Sequence, residues 1–469
     1  MDKMTENYDI VIVGAGTAGT YLAWLLGKQG HSVLLIDKDA RDKVGNRLDI
    51  IHFETDRAQK AGIPPFHPGD PDCIEIRNHS TVITPDQTTE IRVQAFQTIV
   101  RLSFFLQKMY KELEKVNVVL QFNSTFKELI FENKKLMGIR AEIDGKVTDV
   151  YARLVVDASG TSGVIRTTLP KNYGVETCKL GPNDVMYVLL QYIKWKNPEK
   201  PHPAKDTSHI FYLLWFGPSH TEDSAILGIG QPGSYENAQL AREDFLNKVQ
   251  LPPYEIYKEE KGFTPYRRPP YSLVSDGFLC IGDAAAITYP FSGHGVTATW
   301  MLDIIAAEVI NEALKSKEYV SKEKLWEINV KYFTDQGAKF ASLLLQLSGI
   351  LNFTEKEWNY VLKKGLIYKT SEEEKPPEPN KEYEEEMSFL ELLKFVGSLL
   401  GGLLTRKLSF KNVKQLLGAN SLGNKIKKHY EKYPTEVKNF DEWVGKSEEL
   451  WKQKKVAIKQ LPSVKIEYH

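Results

Sequence analysis

The chain has 469 residues, enough for about three domain-sized units and a large buried core. Its 61 Lys and Arg balance 61 Asp and Glu, and 42% of residues are hydrophobic, which excludes a globally basic nucleic-acid binder and an acidic disordered chain. Cys73, Cys178 and Cys280 lie far apart with no C-x-x-C pair; this excludes a disulfide framework and a Cys-rich zinc site, leaves no metal site to expect, and fits a reducing compartment.

In chain order, Met1–Asn7 is polar, and the apolar run Ile10–Val13 ends in glycines, too short for a signal sequence. Tyr8–Val13 reads as a strand, Ala18–Gln29 as a helix with Tyr21, Leu22, Leu25 and Leu26 on one face, and Ser32–Ile36 as a second buried strand. That is a βαβ unit, hence a parallel sheet. Thr98–Val116 reads as a long amphipathic helix with Val100, Phe104, Leu106, Met109 and Leu113 in its apolar set. Val118–Phe122, Phe126–Glu132, Met137–Ile143 and Leu154–Val156 follow as short strands. Asp184–Trp195, His209–Phe216 and Ser224–Gly230 are longer, aromatic-rich strands and predict a separate antiparallel sheet. Gly277–Ile281 is another buried strand, Val296–Ala313 a helix, and helices dominate from there. The expected organisation is α/β (α+β). A discontinuous first domain takes residues 1–60, 92–180 and 262–345, an antiparallel domain takes 61–91 and 181–261, and a helical domain takes 346–469 with an acidic linker at 371–387. The longest apolar stretch, Phe389–Leu404, is interrupted by Glu391 and Lys394, so a spanning helix is not expected. The reading is a cytoplasmic protein, with contact at a membrane surface left open.

Gly14-Ala15-Gly16-Thr17-Ala18-Gly19 is G-x-G-x-x-G, placed after a strand and opening a helix. The first glycine permits the tight turn, the second lets backbone approach a pyrophosphate, and the third lets helix pack on strand. The helix N-terminus offers free N–H groups to the diphosphate. Asp37 ends the second strand, where an acid can accept from a ribose diol; Lys38 follows it. A second match, Gly228–Gly233, contains Pro232 and opens no apolar helix, so it reads as a strand end.

Three further stretches bear on which dinucleotide binds. Asp157-Ala158-Ser159-Gly160 and Gly282-Asp283 each end a strand, and Pro290-Phe291-Ser292-Gly293-His294-Gly295-Val296 leads into a helix. A long cofactor needs such a second contact set: Asp283 for a polyol hydroxyl, and backbone N–H groups of Gly293, His294 and Gly295 for the negative edge of a reduced flavin. The order GAGTAG, DASG, IGDAA and P-x-x-G-x-G resembles the para-hydroxybenzoate hydroxylase fold superfamily, whose first domain is a Rossmann-like FAD-binding domain. Within it, RRPPYSLVSDGFLCIGDAAAITYPFSGHGV, LWEINVKYFTDQGAKFASLLL and KIKKHYEKYP are similar to the archaeal geranylgeranyl reductase family. The resemblance implies FAD as cofactor. It places Arg101 and Asp283 near the diphosphate and ribityl chain, Phe126 at the adenine, and Pro290 and Gly293–Val296 at the flavin ring. Arg47 is a further candidate cofactor contact. The alternative for Arg101 is an exposed helix charge, and for Asp157 a turn cap.

His209–Phe216 is apolar on both faces, so both must be covered; the family has a comparable aromatic strand lining a polyprenyl channel, which makes Tyr212, Trp215 and Phe216 the substrate candidates. The alternative is a sandwich-like core. The family's Cys-Gly pair is replaced by Asp49-Ile50, and Asp49, His52 and Glu54 are nearby titratable groups able to supply a proton, with surface or loop-anchoring groups as the alternative; His294 is another candidate, the alternative being a side chain that points to solvent while only its backbone acts. The resemblance implies an FAD-dependent reductase of isoprenoid double bonds, taking electrons from NAD(P)H or a ferredoxin-like donor. The alternatives are a flavin monooxygenase or halogenase of the same fold, which would require oxygen, and a flavin-containing lipid-binding or sensor protein. Charge is segregated: Ser371–Met387 has eight acidic and two basic residues, net −6, whereas Thr405–His469 has fifteen basic and seven acidic, net +8. An apolar helix followed by a basic tail can rest on an anionic lipid surface, or pack on the core as a solvated tail.

Overall fold

The computed structural model describes residues 5–46, 48–368, 389–454, 458–460 and 465–467. The candidate Arg47 and the acidic linker 371–387 lie outside the described residues.

The first half runs β1 (Thr5–Val13), α1 (Thr17–Lys28), β2 (Val33–Ile36), β3 (Ile50–Glu54), α2 (Thr55–Lys60), β4 (Cys73–Ile83), β5 (Glu90–Arg101), α3 (Leu102–Leu113), β6 (Val118–Gln121), β7 (Thr125–Glu132), β8 (Lys135–Ile143) and β9 (Lys146–Asp157). Then come β10 (Val185–Trp195), β11 (Thr207–His209), β12 (Leu214–Pro218), β13 (Ser224–Pro232), α4 (Tyr235–Lys248), β14 (Tyr254–Pro265), β15 (Val274–Ser275) and β16 (Phe278–Cys280). Helices follow: α5 (Val296–Leu314), α6 (Lys322–Tyr332), α7 (Ala338–Leu347), α8 (Glu355–Lys363), α9 (Phe389–Leu404), α10 (Phe410–Tyr430) and α11 (Phe440–Trp451).

One sheet has the order β15-β16-β9-β1-β2-β6, with the β7–β8 hairpin added beside β9. Pairs β1–β2, β1–β9, β2–β6 and β9–β16 are parallel. Ile10–Val13 and Val33–Ile36 are buried along their whole length, as continuous apolar runs in a parallel sheet covered on both faces are. Helix α5, apolar nearly all round, packs on α1 in this core. The second sheet, β14-β10-β13-β12-β11-β4-β5-β3, is antiparallel apart from the β4–β11 pair. Its own core is shared with α4, α8, α9 and α10, through residues such as Phe245, Trp358, Leu399 and Leu416.

Two local expectations are corrected. Thr98–Arg101 is the end of β5, not the start of a helix: the β-branched run Thr98-Ile99-Val100 pairs with β3 and β4, and α3 begins only at Leu102. His209–Phe216 is not one strand. Ile210–Leu213 turn between β11 and β12, with Leu213 at φ +53. The glycine-rich stretch is a strand end as expected, Gly228–Pro232 closing antiparallel β13; a helix does follow, capped by Ser234, but it packs back against β13 and is polar outside. Among the described residues no helix is long and apolar enough to cross a membrane.

Candidate functional site

The β1–α1 turn is built for close backbone approach. Gly14 sits at φ +112, and a Cβ there would lie 2.6 Å from the Ala158 carbonyl carbon. A Cβ on Gly19 would strike the Gly14 carbonyl oxygen. The N-cap of α1 is Gly16, with no side-chain cap, so the first N–H groups of the helix remain free; a Cβ on Gly16 would meet nothing within 4 Å. Asp37 braces the turn. Its Oδ2 accepts from the Ala15 N–H at 2.8 Å and its Oδ1 from the Asp39 N–H at 2.9 Å. Burial raises the Asp37 carboxyl above its ordinary value.

Opposite this turn, Asp157 is fully buried and accepts from the Ser159 N–H and hydroxyl and the Ile165 and Arg166 N–H groups, at 2.6–3.0 Å. It therefore holds the Ala158–Gly160 loop in place and does not itself face a ligand. Burial pushes the Asp283 carboxyl up to about 6. The segment 289–296 closes on itself, the Gly293 N–H donating to the Tyr289 carbonyl at 2.9 Å and the Tyr289 N–H to the His294 carbonyl at 3.1 Å. Helix α5 then starts at Val296 from Gly295, again with no side-chain cap.

These elements line one cavity of about 2380 Å³, well beyond the 300–1000 Å³ usual for a small-ligand pocket. Gly14, Gly16, Thr17, Ala18, Asp37, Lys38, Phe126, Ala158, Ser159 and Gly160 line one end. Gly282, Asp283, Pro290, Gly293, His294, Gly295 and Val296 also line it, with His52 and Glu54. Trp215 and Phe216, with Val82, Val93, Leu190, Ile226 and Trp358, line an apolar end. Trp215 pairs directly with Gly228, where a Cβ would lie 2.5 Å from the indole Cζ2. Ala15 and Gly19 are not on the wall: Ala15 is spent on Asp37 and on the Tyr110 hydroxyl, which donates to its carbonyl at 2.7 Å.

Three candidates are turned away from the cavity. Asp49 accepts from His220 Nε2 at 2.8 Å and Lys258 Nζ at 3.1 Å. Burial pushes its carboxyl up, but His220 and Lys258 outweigh that and hold it below its ordinary value, so it remains an ionised partner in a network with Glu260 and Tyr192. Arg101 lies over the Phe104 ring at 4.1 Å and 3.9 Å from Asp49; Leu102 and Leu106 take the wall beside it. Tyr212 is buried against Phe211 and Phe245, because the turn that breaks the expected strand rotates it into the core.

The groups that do meet are His52, Glu54 and His294. His294 Nδ1 lies 3.1 Å from Glu54 Oε1, and the Thr297 hydroxyl donates to Glu54 Oε2. The His52 and His294 rings meet edge to face, centroids 4.7 Å apart. Burial would raise the Glu54 carboxyl, but His294, Arg57 and the Thr297 hydroxyl outweigh it and hold Glu54 well below the usual carboxylate range. Burial, then His294 and Arg77, push His52 down to about 3, so it is neutral. With Nδ1 committed to Glu54, His294 Nε2 has no hydrogen-bond partner among the described residues. Thr297 and Arg77 had no signal in the sequence; Phe340, Leu343 and Leu347 of α7, also on the cavity wall, did have one in their spacing of three and four.

The residues present fit a dinucleotide carrying a ring system, as FAD does. The glycine turn leaves open space where a Cβ would stand at Gly16 or Gly160, and the uncapped starts of α1 and α5 face one cavity. A parallel sheet bearing that site, roofed by an antiparallel sheet, is the para-hydroxybenzoate hydroxylase-type fold. Residues 9–351 match the family model described as "Lycopene cyclase protein", and the chain belongs to that family. It is 24% identical over 377 residues to a digeranylgeranylglycerophospholipid reductase of Sulfolobus acidocaldarius, covering 77% of this chain and 81% of that protein. Among solved structures, a geranylgeranyl bacteriochlorophyll reductase-like protein of Thermoplasma acidophilum superposes with TM-score 0.69 at 16% identity, covering 88% of this chain and all of that one. A flavin-dependent brominase superposes with TM-score 0.56 at 17% identity, over 95% of this chain and all of that one. The resemblance to geranylgeranyl reductases thus holds across most of the chain.

Proposed function

We propose that the protein is an FAD-dependent reductase that saturates carbon–carbon double bonds of a long-chain isoprenoid lipid. The observation that carries this is continuity: the glycine turn, Gly293–Val296 and the apolar walls around Trp215 and Trp358 all line a single cavity. Gly14–Thr17 and the start of α1 would hold the diphosphate, Asp37 the ribose, and Asp283 with the start of α5 the ribityl and ring end. FAD, when bound, supplies a hydride equivalent to one alkene carbon.

An unactivated alkene has no carbonyl to polarise, so the protein's own part is to position the chain, exclude water and deliver a proton to the other carbon. Trp215, Phe216 and the surrounding aliphatic side chains position and dry the chain. The proton is assigned to His294. Glu54 holds Nδ1 and so orients the ring on the cavity wall. His52, kept neutral, adds no competing charge beside it. The reductant would be a nicotinamide dinucleotide or a ferredoxin-like protein.

The test is anaerobic incubation of the reduced protein with geranylgeranyl diphosphate and with geranylgeranyl glycerolipids, followed by mass spectrometry. A gain of two hydrogens per bond supports the reading. An oxygenated product formed only with oxygen would instead support a monooxygenase or halogenase, and an altered product of unchanged mass would support a cyclase.

A further inference from the structure

The C-terminal helices carry a surface that the cavity chemistry does not use. Along α9, Phe395, Leu399 and Leu403 pack toward the second core. One position further on at each step, Val396, Leu400 and Leu404 are 43%, 55% and 85% exposed. Helix α10 adds Phe410 and Leu417, 73% and 50% exposed. A helix that is apolar on its packed face and again on its open face has not finished burying its side chains.

The charge on this pair is one-sided. Residues 394–430 hold eight Lys and Arg and no Asp or Glu, net +8. A stretch of that length at average composition carries roughly four or five acidic residues. Lys394, Arg406, Lys407, Lys411 and Lys414 are all exposed, interleaved with the open apolar side chains.

The same helices stand over the cavity. Beneath them, a smaller pocket of about 180 Å³ is lined by Phe395 and Leu416 together with Phe291, Leu343, Leu347 and Ile350. Those last four also line the main cavity, so the apolar end leads toward α9 and α10.

We infer that the α9–α10 face is a docking surface for an anionic lipid bilayer, from which the isoprenoid lipid enters the apolar end of the cavity. Basic side chains among exposed apolar ones are the chemistry that an anionic headgroup layer selects. A second copy of the chain is disfavoured as the occupant, because a symmetric contact would set two net-positive faces against each other. The identity of the lipid rests on the reductase reading; the docking itself does not.

The test uses the full chain loaded with FAD, sedimented with phosphatidylcholine vesicles with or without phosphatidylglycerol. Binding is expected only with phosphatidylglycerol, and it should weaken as salt rises. Lys411→Gln/Lys414→Gln and, separately, Leu404→Ser/Phe410→Ser should each lower the bound fraction about tenfold or more, with melting temperature and flavin content unchanged. Both variants should still reduce a short, soluble isoprenoid diphosphate, so loss of docking is distinguished from loss of the reaction. The inference is overturned if binding ignores headgroup charge or both double variants bind like the parent. It is also overturned if light scattering shows a dimer that Leu404→Ser/Phe410→Ser dissociates.

Discussion

Trp215 and Gly228 form the sharpest steric pair at the apolar end of the cavity. They are direct partners across β12 and β13, and a Cβ at 228 would come within 2.6 Å of the indole Nε1, where ordinary contact begins near 3.4 Å. Small shifts cannot absorb that overlap, because both residues are held in the sheet ladder. Gly228→Ala should therefore expel the indole or bend the strand, at about 1–3 kcal/mol. Trp215→Ala should cost about 2 kcal/mol, less than for a fully buried tryptophan because this side chain is only half-buried. In the double variant the clash has no partner, so the added alanine should cost under about 0.5 kcal/mol. The two changes should thus be less than additive by about 1–3 kcal/mol. Guanidinium unfolding of the parent, both single variants and the double variant measures this coupling. Additivity within about 0.5 kcal/mol would refute the seating of Trp215 on Gly228, and with it this wall of the cavity.

Gly19→Ala should yield protein with parental circular dichroism that no longer retains FAD, because the new Cβ strikes the Gly14 carbonyl; full retention would contradict the turn geometry. His294→Gln should leave flavin content and lipid affinity within about twofold while slowing bond saturation by about 10²–10⁴, as for loss of a general acid; an unchanged rate would remove His294 from the reaction. His52 titrates near 6.5 when unfolded and about 3 when folded, so the unfolded chain takes the proton first and stability falls as pH drops through that window. The loss at pH 5 should reach up to about 2 kcal/mol and be absent in His52→Phe. Asp283, raised from 3.8 to about 6, has the opposite sign, gaining stability as pH falls from about 6, so the quantity to measure is the difference between parent and variant.

The nucleotide end was legible because its determinants are local. A continuous apolar strand, a glycine turn and an acid at the next strand end lie within the first 37 residues, and the acid's carboxylate accepts from the Ala15 N–H of that turn. The 290–296 loop was legible for the same reason. The substrate end was less so. An unbroken apolar run conceals the turn at Leu213, which no glycine or proline marks, and that turn decides that Trp215 faces the cavity while Tyr212 does not. β-Branched Thr98–Val100 sits next to a true helix, and periodicity alone merged the two. Asp49 and Glu54 are both acids in one segment. Only the tertiary fold hands the first to His220 and Lys258, from the far side of the sequence, and the second to His294.

A single anaerobic turnover decides whether the bound flavin reduces the isoprenoid. Protein-bound FAD is reduced without oxygen and mixed with a geranylgeranyl lipid, and the return of oxidised-flavin absorbance is compared with the mass of the lipid. One saturated bond, two hydrogens heavier, is expected for each flavin reoxidised. Flavin that stays reduced in the presence of lipid, or reoxidises with no gain in lipid mass, would contradict it.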